Sequence, residues 1–178
     1  MSRIAIPDIA SATGATADVY AQVKKAIGAL PNLFAAVGAL SPEALKAVLN
    51  AEAVLAASTL SKQDIETVKL LVSELTGCDY CVAAHVMIGK MTGLAPATLK
   101  QIRAGQPTGD AKRDALVHFV KNLQQTSGTI DEAEFAAIKA AGYTDAQLVD
   151  ITLALSLTIF TNTFNRINDT VLDMPAAD

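Results

Sequence analysis

Ser61-Lys62-Gln63-Asp64-Ile65-Glu66-Thr67-Val68-Lys69-Leu70-Leu71-Val72-Ser73-Glu74-Leu75-Thr76-Gly77-Cys78-Asp79-Tyr80-Cys81-Val82-Ala83-Ala84-His85 reads as one helix, a glycine break and the start of a second helix. Ser61 followed three residues later by Asp64 resembles a capping box, which satisfies N–H groups that the first helical turn leaves without partners. The helix it opens is expected to run to about Thr76. Gly77 then breaks or re-aims the chain, and a further helix is expected from about Cys78 to Thr92, with Gly93 as its stop.

The same punctuation extends outward. Ser41-Pro42 places a capping residue before a proline at the first helical position, predicting a helix from about Pro42 to Ala57. Pro96 starts a short helix ending near Gly105, and Gln106 to Gly109 reads as a loop. Helices are expected over Asp110 to about Gln125, Asp131 to Ala141 with Gly142 closing it, and Thr144 onward. No segment alternates apolar and polar residues over the length of a strand. The expected fold class is all-α, a single domain over 1–178, with a core at about 58–93 and a second helical half at about 110–172.

Composition agrees with this. Hydrophobic residues make up 51% of the 178 positions and charged ones 18%, so the chain is not disordered. Aromatics are only 4%, and Ala and Leu favour close helix packing over strands. A mean hydropathy of +0.34 leaves much apolar surface to hide, and self-association is one way to hide it. The net charge is −4 and no run of Lys or Arg would track a phosphate backbone, which excludes nucleic acid as the expected partner. No membrane is expected either: the most apolar stretch, Leu148 to Phe160, is short and interrupted by Asp150, Thr152, Ser156 and Thr158. No long apolar core follows Arg3, which speaks against a secretory signal, and the expected compartment is the cytoplasm.

A shift of 84 positions aligns Ile65-Glu66 with Val149-Asp150, Leu71 with Leu155, Cys78 with Asn162, Cys81 with Asn165 and His85 with Asp169. A duplicated helix pair would produce this echo, and so would chance alignment of two helices of similar period.

The chemistry-bearing residues are Cys78, Cys81, His85 and Glu66. In a reducing compartment, two cysteines three positions apart are not explained as a staple of a secreted domain. At a helix start they lie close enough to form a disulfide. The unpaired N–H groups and the positive end of the helix dipole there favour a thiolate, the form that attacks peroxides and disulfides. His85 lies one turn after Cys81 on the same stripe, from which an imidazole can accept the Cys81 proton.

Plainer readings stand beside this one. Zinc needs about four ligands, and two thiols with His85 supply three; His118 sits in another helix with nothing marking it as a ligand. Plain burial of both cysteines is the other alternative. Glu66 has Lys62 and Lys69 within salt-bridge spacing, which fits a surface carboxylate, although Leu70 and Ser73 share its face. Glu74 is the rival carboxylate. Tyr80 reads as a packing residue, and Asp79 favours the helix N-terminus while opposing a thiolate. The polar cluster Asn162, Asn165, Arg166, Asn168 and Asp169 is explained by capping or subunit contacts as well as by a pocket.

The segment resembles the core of the carboxymuconolactone decarboxylase superfamily, specifically its alkylhydroperoxidase D (AhpD-like) branch. The pattern is a Glu, eleven residues, Cys-x-x-Cys, three residues and His, here Glu66, Cys78, Cys81 and His85. Gly93-Leu94 and Asn165-Arg166-Ile167-Asn168-Asp169 are similar to the family as well, and the resemblance runs from about Leu30 to Leu172. It implies an all-helical fold assembled into homo-oligomers, often trimers or hexamers. It also implies peroxide reduction with no bound cofactor and no metal. Cys81 would be peroxidatic, Cys78 would resolve its sulfenic acid as a disulfide, and Glu66 and His85 would relay the proton. An external dithiol protein would reset the enzyme. Tyr80 stands where the namesake enzyme carries a His, so that enzyme's lipoyl-bearing reductant is not carried over. The alternatives are a lyase like the family's decarboxylases, which do not need the cysteine pair, and a non-catalytic or zinc-held helical module.

Overall fold

The computed structural model describes residues 2–177. Among them, after a short 3-10 turn at Ile9–Ser11, run nine α-helices: α1 (Gly14–Ile27), α2 (Asn32–Leu40), α3 (Pro42–Ala56), α4 (Lys62–Leu75), α5 (Asp79–Met91), α6 (Pro96–Ala104), α7 (Ala111–Gln125), α8 (Glu132–Ala140) and α9 (Asp145–Asn168). No strand occurs among the described residues. The fold is all-α.

From α3 onward each helix begins within a residue or two of its expected start, and α3 to α8 also end within a residue or two of their expected ends, because the signals are local. The Ser41 side chain accepts from the Ala44 N–H, Asp110 from Lys112 and Arg113, and Asp131 from Glu134. Thr144 and Gln147 form a reciprocal capping box. At Ser61 only half of the expected box is made: Ser61 Oγ accepts from the Asp64 N–H, while the Asp64 carboxylate accepts from the Tyr143 hydroxyl at 3.2 Å. Tyr143 is almost fully buried, and that hydroxyl bond draws the carboxylate away from its own helix start.

α4 is the central helix, packed against α5, α6, α7 and α9. Every residue from Ile65 to Ser73 is buried. Val68, Leu70, Leu71 and Val72 anchor the main apolar cluster with Leu99, Ile102, Leu116, Val120 and Ile151, and each fully buried aliphatic side chain contributes roughly 1.5–3 kcal/mol. A helix buried all round must pair its polar residues internally. Thr67 Oγ1 donates to the Gln63 carbonyl, Ser73 Oγ to the Lys69 carbonyl, and Lys69 Nζ reaches both oxygens of Glu52 on α3 at 2.6 and 2.7 Å.

Two helices, α1 and α2, lie ahead of the expected set. Neither is opened by a side-chain cap: Thr13 and Pro31 hold the N-cap positions without such a bond. With α3 and the CxxC segment they build a second apolar cluster of Val19, Tyr20, Val23, Leu33, Val37, Leu45, Cys78, Tyr80 and Cys81.

α9 has 24 residues and is, among the described residues, the one helix long and apolar enough to cross a membrane by length and composition. The helix extends beyond Leu148–Phe160 at both ends with mostly polar residues, among them Asp145, Asn162, Asn165 and Arg166. One stripe of it, Ile151, Ala154, Thr158, Asn162 and Asn165, is buried inside the fold. It also runs unbroken through the position that a shift of 84 aligns with Gly77, where α4 and α5 are separate helices.

Candidate active site: a buried dithiol beside a Glu–His pair

The turn between α4 and α5 delivers the first thiol. Gly77 adopts φ +66°, a left-handed conformation that glycine takes without Cβ strain. Its N–H donates to the Glu74 carbonyl, and the Cys78 N–H reaches back to the Ser73 carbonyl. This is a Schellman ending for α4, and the residue that completes it also becomes the N-cap of α5. Cys78 Sγ takes the place of the usual capping oxygen, accepting from the Cys81 N–H at 3.4 Å. The two cysteines are thus brought together at a helix N-terminus and are unbridged.

The pair is tightly coupled. The Cys78 thiol is lowered below the ordinary thiol range, chiefly by the hydrogen bond from the Cys81 side chain and then by the Cys81 N–H and the Asn165 amide, against burial and the Asp79 charge. Cys81 is pushed up, first by donating to Cys78, then by burial and by the charge on Cys78. Of the two sulfurs, Cys78 is therefore the one on which negative charge is favoured, with the Cys81 S–H as its donor. The N-cap position stabilises charge on Cys78 more directly than the helix stripe does on Cys81.

One turn further along α5, His85 Nδ1 meets Glu66 Oε2 of α4 at 2.9 Å. Glu66 is buried, and neither nearby lysine takes it: Lys69 is engaged by Glu52. The rival Glu74 pairs with Arg103 at 2.6 Å on the outer side of α4. The structure thus brings Cys78 to Cys81 and Glu66 to His85, but among the described residues no hydrogen bond joins the imidazole to either sulfur.

Two features escaped the reading of the sequence. Asn165 of α9 donates through Nδ2 to Cys81 Sγ at 3.2 Å, and its Oδ1 is buried without a hydrogen-bond partner. The signal was an apolar helix interrupted along one stripe by Thr158, Thr161, Asn162 and Asn165. The rest of that polar cluster is structural. Asn162 donates to Thr76 Oγ1, Arg166 to the Thr76 carbonyl, and Asn168 accepts from the Ile4 N–H.

The second feature is depth. Cys78 and Cys81 are only 2% and 3% exposed, covered by α1–α3 and by the chain after α9. Tyr80, between the cysteines, donates its hydroxyl to Asp173 Oδ1 at 2.8 Å, while Asp173 Oδ2 accepts from the Asn32 N–H at 2.7 Å. The C-terminal segment is thereby tied across both the CxxC turn and the start of α2.

His118 lies apart, exposed and bonded to Glu134 and Asn122. Among the described residues no three His, Cys, Asp or Glu side chains are grouped so as to hold a metal ion.

Comparison with known proteins places this geometry in context. Residues 42–122, spanning α3 to most of α7, match the model of the carboxymuconolactone decarboxylase family. No curated protein matches the chain. Among solved structures, an uncharacterised peroxidase-related protein with an alkylhydroperoxidase AhpD core from Ralstonia eutropha JMP134 superposes with a TM-score of 0.83 at 22% identity, over 97% of this chain and 92% of its own. A peroxidase-related protein from Silicibacter sp. TM1040 gives 0.80 at 21% identity, over 99% and 92%. The debrominase Bmp8, solved as a cysteine-to-alanine variant in complex with 2,3,4-tribromopyrrole, shares the fold at 14% identity and a TM-score of 0.69, over 88% and 84%. The chain thus carries a segment, residues 42–122, that is similar to the carboxymuconolactone decarboxylase family, and it shares its all-helical fold with proteins built on an alkylhydroperoxidase AhpD core.

Proposed function

We propose that this protein is a thiol-dependent peroxidase that reduces hydrogen peroxide or organic hydroperoxides by cycling Cys78 and Cys81 between dithiol and disulfide. The observation that carries the reading is the capped thiol pair itself. Two sulfurs share one helix N-terminus, with a backbone N–H on Cys78 Sγ and a Glu–His pair one turn away. The peroxidase-related relatives with the same fold are consistent with it.

The reaction proceeds from one thiolate. Proton transfer along the contact between the sulfurs moves the charge from Cys78 to Cys81. Cys81 Sγ attacks the terminal oxygen of the hydroperoxide; the S–O bond forms and the O–O bond breaks. The leaving alkoxide takes a proton from the imidazolium of His85, which Glu66 orients and stabilises, and departs as an alcohol or water. Because His85 does not touch either sulfur, that proton travels through a bridging solvent molecule. Cys78 then loses its proton to the neutral imidazole and attacks the Cys81 sulfur. The S–S bond forms and hydroxide leaves, taking up the proton as water. The peroxide gains two electrons and the thiol pair loses them. A dithiol protein restores the pair by thiol–disulfide exchange, and the reducing cytoplasm is the compartment that supplies one.

A homo-oligomer fits the surface. α9 exposes Val149, Ile159, Phe160 and Ile167, and α5 exposes Met91. Burying these against another copy would account for the high hydropathy of the chain.

The test is multiple-turnover peroxide consumption with a dithiol reductant. Wild-type protein is expected to turn over, Cys81→Ser to be inert, and Cys78→Ser to form one sulfenic acid and stop. Full turnover by Cys78→Ser would contradict the resolving role. A wild-type protein that leaves peroxide untouched but converts a muconolactone-type acid would establish the lyase reading instead.

A further inference from the structure

Asn165 is 3% exposed, and its side chain has one partnered end and one end without a partner. Nδ2 donates to Cys81 Sγ at 3.2 Å, while Oδ1 has no hydrogen-bond donor. Leaving an amide oxygen unsatisfied in the interior costs roughly 1–3 kcal/mol. Nothing in the packing of α9 demands an amide here. The same stripe carries Ala154, and its other polar members all have partners: Thr158 bonds the Ala154 carbonyl, and Asn162 bonds Thr76 and Ser73. The orphaned oxygen is attached to the group that touches the sulfur.

We propose that Asn165 is a catalytic residue of the dithiol centre: Nδ2 holds the thiolate on Cys81, and Oδ1 accepts the O–H of the incoming hydroperoxide. The inference rests on the peroxidase reading above and specifies how the substrate is held. In a hydroperoxide, R–O–O–H, the oxygen attacked by sulfur carries the hydrogen. Attack forms Cys81–S–O–H and releases R–O⁻, so the O–H bond is never broken. One acceptor can therefore hold the same hydrogen before and after oxygen transfer, orienting the O–O bond in line with the sulfur and then fixing the sulfenic acid. The amide donor serves the other partner: its hydrogen bond favours charge on the sulfur, working against the burial and the Cys78 contact that push Cys81 up. A hydrogen bond to a charged sulfur in a buried site is stronger than one in water. The site thus selects a small oxidant bearing a terminal O–H, and a dialkyl peroxide, which lacks that hydrogen, is excluded.

The test uses full-length Cys78→Ser protein, in which Cys81 reacts alone, with and without Asn165→Leu, a nearly isosteric change that removes both polar ends. Two rates are measured at one pH: alkylation of Cys81 by iodoacetamide, which needs the thiolate and offers the sulfur no terminal O–H, and sulfenic acid formation with hydrogen peroxide, followed by a dimedone trap. Asn165→Leu is expected to slow alkylation about tenfold, the loss of one hydrogen bond to sulfur. It is expected to slow peroxide oxidation about a hundredfold, as when a donor or acceptor in the reacting complex is removed. Equal slowing of both rates refutes the Oδ1 contact, and unchanged rates refute the whole assignment. If the parent protein is inert to peroxide while Asn165→Leu still slows alkylation, the peroxidase reading and the Oδ1 contact fail and the Nδ2 contact stands. Asn165→Ser, smaller and still able to donate and accept, guards against a folding defect: far-UV circular dichroism melting is read beside both rates, and partial recovery of the peroxide rate over Asn165→Leu is expected.

Discussion

Glu66 Oε2 and His85 Nδ1 meet at 2.9 Å across the interface of α4 and α5, nineteen positions apart in the chain. The contact joins the most buried helix of the fold to the helix that carries the thiols, and both side chains lie mostly out of solvent. A carboxylate bonded to one ring nitrogen fixes which nitrogen is free for proton transfer. Glu66→Gln keeps the shape but gives up the charge that stabilises an imidazolium, and His85→Ala removes the proton carrier. Each is expected to slow peroxide reduction by roughly 10²-fold, the usual worth of a positioned acid–base group. Melting temperatures should stay near wild type. Stopped-flow peroxide kinetics beside thermal melts checks this, and unchanged kinetics in both variants would contradict the relay.

The pH dependence of thiol reactivity follows from the coupled pair. Cys78 is lowered mainly by the hydrogen bond from the Cys81 thiol, so its thiolate persists below the ordinary thiol range. Cys81 is raised, so the second proton leaves only well above that range. Alkylation of reduced protein should therefore show Cys78 reacting first, on the acid side of a free cysteine, with Cys81 following it. Cys81→Ala removes the side-chain donor to Cys78, so the Cys78 titration should move upward. Mapping the alkylated peptide at each pH gives the order, and simultaneous reaction of both thiols near the ordinary value would contradict the coupling.

Access to the sulfurs is limited by the segment after α9. Asp173 bridges the Tyr80 hydroxyl and the Asn32 N–H, and Leu172 and Met174 pack against the cluster that contains both cysteines. Asp173→Ala should loosen this cover and raise the alkylation rate by up to about tenfold, the weight of a net hydrogen bond or so. Hydrogen exchange at residues 170–177 should accelerate in parallel. A variant with unchanged alkylation would place the route to the thiols elsewhere.

The turn that presents Cys78 depends on glycine conformation and not on space. Nothing lies within 4 Å of a Cβ built on Gly77, yet its φ is +66°. Gly77→Ala should therefore cost about 1–2 kcal/mol from backbone strain alone, read as a lower midpoint in urea unfolding. A substitution with no cost would mean that the turn relaxes, and the position of Cys78 at the start of α5 should then be lost with it.

Most of the helical architecture was legible because caps are local. Ser41, Gly93, Pro96, Asp110, Gly142 and Thr144 act on backbone groups within a few positions of themselves, so their meaning survives without tertiary context. Among the described residues three helices lack a side-chain cap: α6 was still marked by Pro96 and Gly105, whereas α1 and α2 were the ones left unread. In the site, Cys78 and Cys81 share one turn and His85 follows on the same helix, so spacing was enough to associate them. The lysines flanking Glu66 suggested a surface position because the partner that occupies Lys69, Glu52, lies 17 positions upstream. The contact of Asn165 with Cys81 spans 84 positions, and no local rule reaches that far. The depth of the thiols was hidden for the same reason, since their cover comes from both ends of the chain.

The most direct test of the central claim is the intact mass and free-thiol count of the reduced wild-type protein before and after a small excess of hydrogen peroxide. The account predicts loss of both thiols, a mass lower by two hydrogens, and a disulfide mapped by peptide analysis to Cys78 and Cys81. Persistence of both thiols in folded protein, with the peroxide unconsumed, would contradict it.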